Sequence, residues 1–457
     1  MSHESSEGVG DQGAAKGTDS KEKLRRVISR PMLTFFIIGD ILGTGIYALV
    51  GEVGGNVGGA IWMSFLVSIL VAFVTAFAYA ELVTKYPYAA GAALYVNKAF
   101  GIPFLTFVIA FAVVMSGITS ASAAGVTFGG DYLTEFVTLP TVAVALAFLA
   151  ILSLVNFWGI SESVKLNLAF TAIELSGLLI IIVIGLITVF TGQGDPGRAF
   201  EFKEGVAPPL AVLSGATLAF FAMVGFEDSV NVAEETRDPS RVFPRALFIG
   251  LGVTGTVYLL VAFTASMVVP TGTLAASSGP LLEVVKVSGF PLPAALFSLI
   301  ALVAVSNSAL INLIMGSRLV YGMANQGIVP RLFGKVHHGR RTPVMAILFV
   351  ALIGVVLVST ADVEALGATT AALLLGVFTL VNVTVLVLRR DRVEHPHFVT
   401  PTVMPVLGAV FCFGLLTRQE GSVLVKAAVL LLIGVGLWLV NRVVTGRVET
   451  VKAEELA

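Results

Sequence analysis

Hydrophobic and polar positions fall into blocks along this chain, with long apolar runs closed by short polar connections. Runs of about 20 residues are what an α-helix needs to cross a hydrocarbon layer ~30 Å thick. Twelve are predicted, over residues 32–54, 58–84, 104–130, 139–158, 164–191, 209–233, 244–269, 292–322, 343–360, 365–388, 400–417 and 421–442. Lipid offers no partner to a backbone N–H or C=O, so such runs read as helices that satisfy their own hydrogen bonds. Residues 1–30, rich in Ser, Gly, Glu and Lys, read as a disordered tail, and 443–457 as a second polar tail. The predicted fold class is an all-α polytopic membrane protein of about 12 transmembrane helices.

Two spans break the pattern. The first reads Phe36-Ile37-Ile38-Gly39-Asp40-Ile41-Leu42-Gly43-Thr44-Gly45-Ile46-Tyr47, with spaced glycines and a carboxylate in a segment otherwise suited to lipid. A glycine costs a helix interior about 1 kcal/mol relative to alanine. An ionisable group near the bilayer centre costs roughly 2.5–3.5 kcal/mol on insertion scales. The sixth span reads Leu218-Ala219-Phe220-Phe221-Ala222-Met223-Val224-Gly225-Phe226-Glu227-Asp228-Ser229, a glycine followed by two acids. These spans lie five apart, the offset expected if 32–191 and 209–388 are structural repeats. An odd number of spans makes the second repeat inverted, and interruptions at matching positions point to a transporter site. Residues 31–390 are then the core, and the two spans within 391–442 are peripheral.

Composition strengthens the membrane assignment. The chain is 56% hydrophobic and 12% charged, with a mean hydropathy of +0.94, whereas soluble domains carry about 25% charged residues. A net charge of −1 gives no case for a nucleic-acid partner; the implied partner is the lipid bilayer. With the N-terminus inside, only Arg198, Lys203, Lys286, Arg418 and Lys426 of the 28 Lys and Arg fall on the outer side. Both termini are therefore expected in the cytoplasm. The first run is not read as a cleaved signal peptide, because a polar, basic segment precedes it and similar spans follow. The short tails suit a bacterial inner membrane. The single cysteine, Cys412, lies in a membrane run, which excludes a disulfide framework and a cysteine-based metal site. His3, His337, His338, His395 and His397 all lie in polar segments, so no intramembrane histidine relay is available. No cofactor is implied.

Several motifs together resemble the amino acid–polyamine–organocation transporters, most of all the cationic amino acid transporter branch and its bacterial relatives. Gly43-Thr44-Gly45-Ile46 resembles their G-[S/T/A]-G-I motif, and Phe220 to Glu227 their sixth helix. Ala233-Glu234-Glu235-Thr236-Arg237-Asp238-Pro239 with Pro244-Arg245-Ala246 is similar to their E-E-x-x-[N/D]-P…P-[R/K]-A signature. Ser317 to Gly327 resembles the S-R-x-x-Y-x-M-A-x-x-G end of helix 8. The resemblance implies a LeuT-type fold: two inverted repeats of five helices, with helices 1 and 6 broken, plus two peripheral helices.

A break at Gly43–Ile46 leaves backbone N–H groups without helical partners. Together with the positive end of the half-helix dipole, these form a ready anion site. Gly43, Thr44, Gly45 and Ile46 are thus expected to bind the α-carboxylate of an amino acid, with the Thr44 hydroxyl as an added donor. Close helix packing is the other use of such glycines. By resemblance, the carbonyls of Ile41, Phe221 and Val224 receive the α-ammonium group, and Phe221 lies over the substrate as a gate. Phe226 either joins that gate or fills a helix interface. Glu227 matches an acid that ties the unwound segment to its neighbours, and Asp228 reaches the same cavity.

Asp40, Glu174, Glu227 and Asp228 lie at membrane depth, where ionisable groups are functional candidates. Relatives often carry a lysine at the position of Glu174, which by resemblance fills a sodium site between helices 1, 5 and 8 and carries the coupling proton. A carboxylate stands there instead. Since burial favours the neutral form of a carboxylate, Glu174, coupled to Asp40, is the candidate proton-binding group. Direct cation ligation and a hydrogen bond to a helix break are the rival roles. Ser306 and Ser308 have the chemistry to complete a sodium site, although serines, Asn307 and Asn312 also serve helix packing. Glu81 is a candidate partner for a cytoplasmic arginine at an inner gate.

The expected function is secondary active amino acid transport, coupled to protons, by alternating access around a midplane site. The acids favour a cationic amino acid or polyamine, and the small residues Ser116, Ser120, Ala219 and Ala222 a small neutral one. Obligate amino acid or polyamine exchange is the alternative, and a non-transporting sensor on the same fold a further one. An enzyme would need a nucleophile–base pair or metal ligands, which the membrane spans do not offer. A channel would want rings of charge or carbonyls.

Overall fold

The computed structural model describes residues 28–445, except 89–90, 160–163, 234, 326, 338 and 341. Most of the tail expected over 1–30, most of that over 443–457, and the motif residues Glu234 and Gln326 lie outside these residues. The described residues are helical, without a strand, apart from a single bridge of Ile28 to Thr236. That bridge ties the start of the first helix to the loop after the sixth span, through Ile28 N–H to Glu235 O and Arg237 N–H to Ile28 O.

The first span consists of two helices, α1 (Arg30–Ile41) and α2 (Thr44–Val57), which meet at 42° across Leu42 and Gly43. Pro31 starts α1 in a position where the missing N–H costs nothing. Then follow α3 (Ile61–Lys85), a short α4 (Gly91–Phe100), α5 (Pro103–Phe128), α6 (Asp131–Thr134), α7 (Thr141–Trp158) and α8 (Val164–Phe190). The sixth span begins as α9 (Pro208–Ala219). It then tightens into a 3₁₀ turn at Phe220–Met223, opens at Val224–Gly225 and resumes as a 3₁₀ turn at Asp228–Val232. The remainder is α10 (Pro239–Val268), α11 (Thr271–Ala276), α12 (Pro280–Val287), α13 (Ala294–Asn325), α14 (Val344–Thr360), α15 (Val363–Leu388), α16 (Val403–Leu416) and α17 (Gly421–Thr445). Among the described residues nine helices are long and apolar enough to cross a membrane, ten with the bent pair counted as one span. The two shorter apolar helices, α14 and α16, lie where the ninth and eleventh spans are predicted.

The interior is built by α5 against α13 and α15, by α3 against α10, and by α1 against α10 and α8. Helices α14, α16 and α17 turn large apolar side chains outward, among them Leu352, Val410 and Leu432. A water-facing surface would not carry such a belt, and a lipid-facing one requires it.

At one end of the bundle a polar clamp joins α3 to α15. Glu81 is buried, and its Oε2 accepts from Arg389 Nη2 at 3.2 Å and from the Thr400 N–H at 2.8 Å. Lys85 Nζ donates to the Leu388 carbonyl at 2.6 Å, and the Tyr86 hydroxyl to Asp391. Arg389→Ala would leave the Glu81 carboxylate buried without its cation, at a cost on the order of 3 kcal/mol. The double variant Glu81→Gln/Arg389→Ala is expected to recover part of that loss, read by thermal unfolding of the detergent-purified protein.

Candidate functional site

The interrupted segments meet because three glycines remove the Cβ atoms that would hold them apart. A Cβ on Gly45 would lie 2.5 Å from the Ala222 Cα, and one on Gly43 would lie 2.9 Å from the Ser308 hydroxyl. Gly225 has φ +125°, a conformation other residues rarely adopt, and its Cβ would lie 2.4 Å from the Asp40 carbonyl oxygen. Tyrosines then satisfy carbonyls near the break. The Tyr258 hydroxyl donates to Ile41 O at 2.7 Å, Tyr132 to Tyr47 O at 2.8 Å, and Tyr47 to Glu174 O at 2.9 Å.

A cavity of about 30 Å³ remains between these elements. Asp40, Ile41, Gly43, Thr44, Gly45, Phe221, Val224 and Ser308 line it, together with Ser120, Gly225, Asp228 and Asn312. Since one water needs roughly 10–15 Å³ of such space, the chamber has room for a water or two. Any larger solute requires the walls to part.

Gly43 caps α2 without a side-chain acceptor, so the leading N–H groups of this 14-residue helix carry no capping side chain. The Thr44 hydroxyl is buried beside them and has no hydrogen-bond partner. A stranded hydroxyl of this kind costs about 1–3 kcal/mol. With the helix dipole, these groups present a donor-rich, positive end to the chamber.

Phe221 is buried, with its ring about 3.5 Å from the Cβ position of Gly367 on α15, next to Leu49 of α2. It therefore lies between the chamber, which it lines, and the early turns of α15. Phe226 does not line the chamber. Its ring packs with Tyr79 at 5.7 Å and Phe378 at 5.3 Å between centroids. Glu227 turns back on its own segment, where Oε2 accepts from the Gly225 N–H at 2.9 Å. Ile46 is buried behind the lining residues.

Glu174 is fully buried one layer behind the chamber. Its Oε1 accepts from Asn307 Nδ2 at 3.1 Å, while Oε2 has no hydrogen-bond partner. No cation lies within 4 Å of it among the described residues. The two serines part company. Ser308 faces the chamber, whereas Ser306 donates to Leu302 O at 2.7 Å and lines an apolar groove with Phe128 and Phe148.

Sequence reasoning missed Tyr258 as the partner of the break at Ile41, and Tyr132 and Tyr47 as ties of α2 to its neighbours. The only signal for Tyr258 was a hydroxyl within an apolar run, where a polar tip needs a partner.

These features define a polytopic membrane protein with a polar chamber where interrupted helices cross. Residues 28–438 match the family described as Amino acid permease. The Branched-chain amino acid permease BcaP of Bacillus subtilis is 26% identical over 93% of this chain and 95% of its own length. The Low-affinity putrescine importer PlaP of Escherichia coli is 26% identical over 78% of this chain and 80% of its own. Cationic amino acid transporter 9, chloroplastic, of Arabidopsis thaliana is 26% identical over 71% of this chain and 60% of its own. The chain belongs to the amino acid permease family, within the amino acid–polyamine–organocation superfamily.

Two substitutions separate packing from binding chemistry. Gly45→Ala drives a methyl group into backbone and is expected to cost about 1–3 kcal/mol of stability. Thr44→Val removes a hydroxyl that bonds to nothing in the protein, so its unfolding temperature should be unchanged or higher. A loss on Thr44→Val equal to that on Gly45→Ala would assign Thr44 to packing alone.

Proposed function

We propose that this chain is a secondary active amino acid transporter of the inner bacterial membrane, coupled to protons, working by alternating access at the breaks of helices 1 and 6. The observation that carries this reading is the α2 N-terminus without a capping side chain, with the buried, unpartnered Thr44 hydroxyl, facing a small polar chamber. Helix N-terminal N–H groups without a capping side chain, and a stranded hydroxyl beside them, suit a carboxylate, and an α-amino acid brings one. Its ammonium group would meet Asp40, Asp228 and the carbonyls of Ile41, Phe221 and Val224. Phe221 would be the outer gate, and Phe226 and Glu227 would hold the segment on which it turns. In this reading the chain has 12 spans, inverted repeats over 32–191 and 209–388, and both termini in the cytoplasm.

The proton role falls to Glu174, coupled to Asp40. A buried carboxylate bonded to one amide and balanced by no cation can change its protonation without breaking an ion pair. Asn307 would report that change to α13, and the Tyr47 hydroxyl on the Glu174 carbonyl to α2. Ser308 stands where a cation site would draw a hydroxyl, and Ser306 does not.

A second reading concerns the substrate. Two carboxylates in one small chamber also suit a cationic amino acid or a diamine, and one relative is named a putrescine importer. Uptake of labelled alanine, arginine and putrescine into proteoliposomes, with and without an inward proton gradient, distinguishes these substrates. Gradient-stimulated uptake of an amino acid is the expected result; exchange with no response to the gradient would overturn the coupling. Glu174→Gln is expected to abolish pH-driven uptake while sparing exchange. An unchanged pH dependence in that variant would remove Glu174 from the proton path.

A further inference from the structure

A second polar cavity, of about 190 Å³, opens at the end of the bundle where α2 finishes and α15 begins. Its walls carry Asn56 of α2, Asp362 and Glu364 at the start of α15, Arg418 and Glu420 from the α16–α17 connection, and Lys426 of α17. Charges of both signs therefore share one recess. Neither Arg418 nor Lys426 forms an ion pair within 4 Å among the described residues. Glu364 accepts only from Asn56, at 3.2 Å, and Asp362 caps α15 through Oδ1 to the Ala365 N–H. The connection is held in place by Gln419, buried, whose Nε2 donates to Thr217 O of α9.

The recess adjoins the chamber. Thr217 and Leu218 line the recess, and Phe221, one helical turn or ~5 Å further on, lines the chamber. On α15, Ala365 and Ala368 line the recess, and Gly367, between them in sequence, lies against Leu49 and Phe221.

The geometry points to an antechamber that holds the zwitterionic head of an incoming amino acid outside the closed Phe221, with its carboxylate on Arg418 and Lys426 and its ammonium on Glu364 and Asp362. This inference rests on the transport reading. Opposite charges held apart around a solvated recess attract a zwitterion from both ends, raising its local concentration at the gate. The α16–α17 connection, which contributes nothing to the chamber, thereby gains a role in substrate capture.

Two measurements on the full-length protein test this. In proteoliposomes, Arg418→Gln/Lys426→Gln is expected to raise the KM for labelled alanine and arginine about fivefold or more, leaving Vmax unchanged and flattening the salt dependence. Independently of transport, Ser422→Cys places a thiol on the recess wall, the native Cys412 being buried. Alkylation of that thiol should be slowed by millimolar alanine or arginine and not by alaninamide or N-acetylalanine, each of which lacks one charge. Uptake without protection, or an unaltered KM in the double variant, overturns the antechamber. Protection by a diamine alone overturns it too. Protection without uptake sustains the antechamber and instead overturns the transport reading.

Discussion

A helix that stops inside an apolar layer must find partners for the backbone groups it leaves open, and this structure is organised around meeting that demand. The first span stops at Ile41 and restarts at Thr44. The Ile41 carbonyl is satisfied by Tyr258 from α10, and the irregular stretch of the sixth span by Glu227 folding back on the Gly225 N–H. What is left open, the α2 N-terminus and the Thr44 hydroxyl, faces the chamber. The Thr44 hydroxyl is thus an unpartnered polar group in a place where a polar solute would meet it.

The glycines make this arrangement possible by permitting contact. Gly45 brings α2 onto the backbone of Ala222, and Gly225 lies against the Asp40 carbonyl in a conformation that side chains disfavour. Close packing and ligand binding are therefore not competing uses of the Gly43-Thr44-Gly45 motif. The packing of Gly45 holds α2 where the N–H groups beside Gly43 face the chamber.

Outside the breaks, polar groups in the spans join distant parts of the chain. Glu81 meets Arg389, and Asn307 meets Glu174, across hundreds of residues in the first case and well over a hundred in the second. Each such bond is stronger where water is excluded, and each removes a polar group from lipid. The clamp at one end and the charged recess at the other lie on opposite sides of the chamber along α15, whose first turn carries Asp362 and Glu364 and whose last meets Lys85. One helix thus runs from the recess to the clamp.

The sequence by itself determined the helical class, the approximate bounds of the spans, and the interruptions at Gly43 and about Gly225. The reason is that these depend on local quantities: run length, the missing Cβ of glycine, and the cost of a carboxylate in lipid. It also singled out Thr44, Asp40 and Glu174 as residue types that an apolar run does not carry without cause, while Phe221 came from the family resemblance alone. Only the tertiary structure decided which side of a helix each residue serves. Ser306 and Ser308 are two positions apart, yet one lines an apolar groove and the other the chamber. By sequence Phe226 suits either a gate or a helix interface, and it packs on Tyr79 and Phe378. A span apolar on all faces carries no stripe to say which face meets protein, because lipid and a neighbouring helix are equally apolar. The hydroxyl of Tyr258, two hundred residues from the carbonyl it satisfies, could be found only by folding the chain.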